Sequence, residues 1–196
     1  MAGSAPPVLH LAQNDAADAL LAEDPLALLV GMLLDQQVPM ERAFAAPHRL
    51  AQRLGTGGLD PSAIADRDPE EFAALMARPP AVHRYPGSMA ERVQALAGVV
   101  RDEYGGDAAR IWQDATDGGE LLARLRGLPG FGEQKARIFL ALLGKRLGVR
   151  PPGWREAAGE YGADGIHRSV ADVVDAESLA RVRAYKQEVK RGSKPG

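Results

Sequence analysis

The residues best spaced for chemistry lie in one turn. Leu128-Pro129-Gly130-Phe131-Gly132 joins two helical patterns within LRGLPGFGEQKARIFLALLGKRLGV, Leu125 to Val149. Pro129 fixes one turn dihedral, and Gly130 and Gly132 permit backbone conformations that a Cβ would block. A helix starting right after so tight a turn presents free backbone N–H groups and the positive end of its dipole, which favour an anion. A nucleic-acid phosphate is the obvious candidate. Turns of this composition also join helices that bind nothing, so local charge matters. From Arg124 to Arg155 the chain has eight basic residues and one acid, Glu133, a net charge of +7. The whole chain carries −2, which leaves −9 for the rest. A basic face beside an amide-rich turn is the footprint of a phosphate-backbone binder.

A second polar group lies upstream. Leu26 to Leu34 is apolar nearly all round, as in a buried helix. Asp35, Gln36 and Gln37 follow it directly, and Pro39 interrupts the pattern. Taken alone, the trio reads as a polar helix end.

Together the two stretches resemble a known family. LPGFGEQKA resembles the helix-hairpin-helix of the helix-hairpin-helix/Gly-Pro-Asp superfamily of base-excision DNA glycosylases. LLVGMLLDQQVPMERA, Leu28 to Ala43, resembles the early helix of the same superfamily. The likeness covers roughly Leu26 to Pro151. It implies an all-α, two-lobed fold with a DNA-binding cleft. A helical barrel would span 25–149, with the hairpin at 119–148, and a second lobe would combine 1–24 with 150–196. It implies double-stranded DNA containing a damaged base as partner. Gly130, Gly132 and Lys135 would hold the phosphate backbone, with Leu128, Phe131 and Gln134 beside them. The carbonyls of Arg126, Leu128 and Phe131 would hold an alkali or alkaline-earth ion. Gln37, next to Gln36, would fill the gap left by a nucleotide rotated out of the duplex. Flipping costs a few kcal/mol, and an amide can both donate to and accept from the orphaned base.

The chemistry departs from the family pattern. Breaking a base–sugar bond develops positive charge on the sugar, which a carboxylate can stabilise. The resemblance puts an Asp in a loop about 18 residues beyond the start of the second hairpin helix. That loop reads RPPGWRE, with Gly153 at or beside the position. Bifunctional relatives place a Lys nucleophile two residues after the second hairpin Gly. Here that residue is Gln134, and Lys135 lies one position on, about 100° around a helix. The expectation is therefore a glycosylase-like repair protein without Lys-based lyase activity. Asp35 is the favoured carboxylate, at the end of a buried helix, with Glu156 and Asp164 as alternatives. Two competitors stay open. The missing loop Asp supports a non-catalytic, damage-sensing DNA binder. The acidic remainder of the chain supports an all-α interaction module without a DNA role.

Composition bounds the rest. The chain has no Cys, which excludes disulfides, thiolate zinc sites and a cysteine-held iron–sulfur cluster. Its four His residues have no ligand-like spacing. No apolar run approaches the roughly 20 residues of a membrane span, and MAGSAPPVLH lacks the features of a signal peptide. A cytoplasmic monomer with no membrane partner and no cofactor beyond a structural cation is expected.

The positioning elements are all helical in pattern. Helices are expected at Leu11–Ala22, from Asp24-Pro25 to Asp35, and at Glu41–Leu54, which Gly55, Gly57 and Gly58 end. Asp60-Pro61-Ser62 and Asp68-Pro69 open short helices, and Arg78-Pro79-Pro80 closes the second. Tyr85–Tyr104 is amphipathic, and Ala108–Ala115 holds Ile111 and Trp112 as core residues. Glu120–Arg126 opens the hairpin. Trp154 could stack on a base, though a packed Trp is the commoner case. Tyr161–Gly165 reads as a loop, and Ser169–Val174 and Glu177–Arg191 read as helices. Met1–Pro7 and Gly192–Gly196 read as tails.

Overall fold

Aspartate–proline pairs set the rhythm of the fold. The Asp24 carboxylate accepts from Ala27 N at 3.1 Å, and Pro25 then opens a helix that buries every residue from Leu26 to Leu34. The same carboxylate accepts from Leu59 N at 2.7 Å, which ties this helix start to a distant loop. Asp60-Pro61 and Asp68-Pro69 repeat the device. Each Pro lacks an N–H that the first turn could not pair, and each Asp carboxylate accepts from one or two first-turn N–H groups that have no carbonyl partner.

A computed structural model describes residues 7–193. The tail expectations lie mostly outside the described residues. Eleven helices follow in order: α1 (Asp15–Glu23), α2 (Pro25–Leu34), α3 (Met40–Leu54), α4 (Pro61–Ala65), α5 (Pro69–Ala77), α6 (Pro86–Glu103), α7 (Arg110–Gln113), α8 (Gly118–Arg126), α9 (Glu133–Arg146), α10 (Trp154–Ala158) and α11 (Ala176–Gly192). Single 3-10 turns cover Gly159–Gly162 and Val170–Asp172. Among the described residues there is no strand, and no helix is long and apolar enough to cross a membrane.

α2 is the axis of the packing. α1 and α3 lie against it, and α6 closes on it from another side. Gly31 lets α3 approach: a Cβ there would come 2.7 Å from the Phe44 ring. α6 buries Met89, Val93, Leu96, Ala97 and Val100, a helical stripe on which α4 and α5 pack. α8 and α9 form the hairpin, with α10 laid across both. Phe139 of α9 meets Phe131 edge-on and Trp112 at a tilt, both with ring centroids 5.9 Å apart.

Several boundaries differ from expectation for local reasons. The first helix starts at Asp15 rather than Leu11, because the Asn14 side chain caps it by accepting from Ala17 N. Leu11 and Ala12 are buried without being helical. The expected helix at Ala108–Ala115 shrinks to the single turn of α7. The helix expected at Ser169–Val174 reduces to the 3-10 turn Val170–Asp172, with a Ser169–Asp172 capping box. The loop expected at Tyr161 begins inside another 3-10 turn.

Candidate nucleic-acid interface

Asp35 ends α2, and its neighbours turn the chain sharply. The Asp35 amide donates to Met32 O at 3.2 Å, and the Gln36 amide to Leu34 O at 2.8 Å. Gln37 then adopts φ 58°, a left-handed conformation that is uncommon for a residue other than Gly, Asn or Asp. A buried histidine holds this turn. His83 Nε2 lies 3.1 Å from Leu34 O and 2.9 Å from Gln36 O, while Tyr85 N donates to Nδ1 at 3.0 Å. Since Nδ1 accepts, the ring proton sits on Nε2 and serves both carbonyls. Burial lowers the His83 pKa, against the pull of those two bonds, which keeps the ring neutral. Sequence reasoning weighed His83 only as a metal ligand and missed this role, because its partners lie 47 and 49 positions away.

The hairpin docks on the same end of α2. Gly130 has φ 80°, and a Cβ there would overlap Leu33 Cδ1. Gly132 is different. It caps α9 with φ −79° and ψ −179°, which any residue adopts, and a Cβ there would meet nothing within 4 Å. The expectation that both glycines are needed for backbone freedom therefore holds for Gly130 and not for Gly132. The turn stabilises itself through Leu128 N to Leu125 O and Phe131 N to Leu128 O, both 3.1 Å. Leu128 and Phe131 are buried, whereas Gly130, Gly132 and Gln134 are exposed. The amides of Gly132, Glu133, Gln134 and Lys135 donate to no other described group. The lone acid of the basic window, Glu133, is bracketed by Arg126 and Arg137, each at 2.7 Å. The Gln134 side chain donates to Tyr161 Oη at 3.0 Å.

The Lys135 side chain turns inward, away from the expected phosphate contact. Its Nζ donates to Leu33 O at 3.0 Å, an oxygen that also accepts from Gln36 Nε2 at 2.9 Å. Burial brings the Lys135 pKa down to about 8; Asp35 opposes the shift, and Arg92 and Lys186 add to it. The Asp35 side chain is 10% exposed and receives no hydrogen bond from any described residue. Lys186 of α11 is its nearest cation, at 3.9 Å. Burial raises the Asp35 pKa; Lys186 and Lys135 pull it down, and Glu41 pushes it up. Glu41 is paired with Arg183 of α11 through one oxygen, while its other carboxylate oxygen is buried without a partner. Arg92 of α6 donates to Gln36 Oε1 at 3.2 Å. Gln37 is exposed.

The other two candidate carboxylates lie elsewhere. Glu156 is exposed on α10. Asp164 pairs with Arg155 at 3.0 Å, and that guanidinium holds its carboxyl below the usual range. Gly153 caps α10 with φ 75°, and its loop is used in packing. Gly118 N donates to Pro152 O at 2.7 Å, and a Cβ on Gly118 would come 2.6 Å from Gly153 O. Trp154 is buried in the notch left by Gly144, with Arg155 over its ring at 4.6 Å. It is a packing residue, unavailable to stack on a base.

Among the described residues no cluster of His, Cys, Asp and Glu could hold a metal ion. The hairpin carbonyls are another matter. Those of Arg126 and Phe131 accept no hydrogen bond in the turn, and that of Leu128 accepts one, from Phe131. Each carbonyl has two lone pairs, so all three oxygens keep acceptor capacity.

The arrangement thus brings Asp35, Gln36, Gln37, Gly130, Gly132 and Lys135 to one end of α2. No curated protein and no solved structure matches the chain. The family model for the HhH-GPD superfamily base excision DNA repair protein matches residues 30–193. That span takes in the second half of α2, the hairpin and α11 alike, and it places the chain in the HhH-GPD superfamily of base excision DNA repair proteins.

Proposed function

We propose that the protein is a DNA N-glycosylase that removes a damaged base without a lysine lyase step. The observation that carries this is Asp35: a nearly buried carboxylate with no hydrogen-bond partner, beside the hairpin and flanked by two ammonium groups. Lys186 faces this carboxylate at 3.9 Å without a hydrogen bond, and a desolvated carboxylate left without one costs stability that a ligand can recover. In this reading the free amides of α9 and the open space at Gly132 take the phosphate backbone. Gln37 enters the duplex where the damaged nucleotide has left. The C1′–N bond breaks, and its electron pair leaves with the base, which takes up a proton. Asp35 stabilises the cationic sugar and accepts a proton from the water that adds to C1′. Lys135 and Lys186 favour the anionic form and offset part of the rise in pKa that burial imposes on Asp35. A hard cation at the carbonyls of Arg126, Leu128 and Phe131 would brace the turn against a phosphate.

A panel of duplexes, each with one damaged base, tests the reading, with alkaline cleavage as the readout for abasic sites. Abasic product that is lost in Asp35→Asn supports it. Tight binding with no product on any lesion favours the non-catalytic binder, which Gly153 in the place of the loop acid would then explain. A borohydride-trapped adduct that disappears in Lys135→Ala would replace the proposed route with an amine one.

A further inference from the structure

A depression beside Gln37 has no role in the reading above. It is open, about 540 Å³, and lined by Gln37, Val38, Pro39, Arg84 and Lys190. None of the hairpin residues borders it. Arg84 and Lys190 are both exposed, and neither has a carboxylate within 4 Å among the described residues. Arg84 is held over the Tyr85 ring at 5.4 Å. Lys190 is positioned by α11, which Lys186–Asp35 and Arg183–Glu41 fasten to the α2–α3 joint. Arg191 adds a further cation in the same last turn. Two cations facing one depression without an acid repel each other unless an anion lies between them. The adjoining Gln37 backbone is strained, as residues at ligand clamps often are.

We infer that this depression holds the sugar-phosphate backbone of the strand complementary to the damaged one. The inference rests on the proposed function: if the hairpin grips the damaged strand and Gln37 fills its gap, groups bordering Gln37 away from the hairpin meet the other strand. Arg84 and Lys190 then neutralise phosphates there, and α11 becomes the second arm of a clamp. Each neutralised phosphate steepens the salt dependence of binding by roughly 0.9 in the log–log slope.

The chain contains no Cys, so Lys190→Cys introduces its single thiol. Disulfide capture is measured with a duplex carrying a thiol tether on either strand. Capture by the complementary-strand tether at least 5-fold faster than by the damaged-strand tether is expected. Equal rates, or faster capture by the damaged strand, overturn the inference. In parallel, Arg84→Glu with Lys190→Glu weakens duplex binding at least 10-fold and flattens its salt slope, while affinity for the single-stranded damaged oligonucleotide is unchanged. Arg181→Glu, on α11 and paired with Glu177, serves as a charge control and leaves both affinities intact. Equal loss on duplex and single strand, or in the control, removes the assignment. Capture without any abasic product counts against the glycosylase reading alone. Abasic product without strand-selective capture counts against the clamp alone.

Discussion

Gly130 stands against Leu33: the hairpin turn is seated on the last buried turn of α2 so closely that a Cβ at position 130 would overlap the leucine side chain. Two stretches nearly a hundred residues apart are thereby fixed to each other. The contact also separates two glycines that look equivalent in the sequence.

Gly130→Ala meets both a left-handed φ and a clash, and should cost about 1–3 kcal/mol. Urea unfolding measures it. Gly132→Ala has neither problem and should leave the urea midpoint within experimental scatter. Its Cβ would instead enter the space before the free amides, so duplex affinity should fall at least 10-fold. If Gly132→Ala binds as tightly as wild type, the phosphate is not held there.

Asp35→Asn should reduce abasic-site formation by at least 100-fold while duplex affinity stays within 3-fold. The same change removes a desolvated charge, so the thermal midpoint should rise. Activity and stability moving in opposite directions is the mark of a functional strain point. A variant that loses both would make Asp35 a structural residue.

The ionisation of Lys135 sets a pH dependence. Its pKa is about 8 in the folded protein against an ordinary value of 10.5. Between those values the unfolded chain binds more protons, so stability rises with pH across that window. Below about 8 both states carry the charge, and its desolvation weighs fully against folding. Activity runs the other way: losing the ammonium near Asp35 should slow abasic-site formation above pH 8. Lys135→Arg should keep the alkaline limb flat to pH 9, and a limb that stays in place would assign it to another group.

His83→Phe keeps the volume of the ring and removes its hydrogen bonds. Gln36 O and Tyr85 N lose their partner at once, and Leu34 O keeps only the Gln36 amide. A cost of about 2 kcal/mol or more is expected. Abasic-site formation should slow more than duplex binding weakens, since the ring positions Asp35 and Gln37. Equal losses in the two assays would reduce His83 to a core residue.

Lys145 and Asp172 form an ion pair 2.6 Å long with both side chains 4% exposed, joining α9 to the 3-10 turn at Val170–Asp172. Removing one partner of such a pair strands a buried charge. Lys145→Met should therefore cost about 3–5 kcal/mol, whereas Lys145→Met with Asp172→Leu should recover part of it. Chemical denaturation of the three proteins checks both statements.

Much of this was legible in the chain because it is encoded locally. Asp24-Pro25, Asp60-Pro61 and Asp68-Pro69 announce their helices within four residues, and LPGFGEQKA carries its own turn chemistry. The apolar run before Asp35 told that its end would be fixed and poorly solvated. What sequence could not convey depends on partners brought from afar. His83 reaches back to α2, Lys135 bends onto Leu33 O, and α11 delivers Lys186 and Arg183. No spacing rule links those positions. Gly132 shows a subtler failure, since its turn composition suggested a conformational need that its dihedrals do not have.

The docking of α11 also sets an order of assembly. Asp35 lies in the first fifth of the chain, and the ammonium 3.9 Å from it belongs to the last helix. During synthesis the acid therefore waits for about 150 further residues to emerge before its surroundings are complete. A protease that trims the chain just after Val182 would remove Arg183 and Lys186 and return Asp35 to that unfinished state, while sparing the buried heart of the fold.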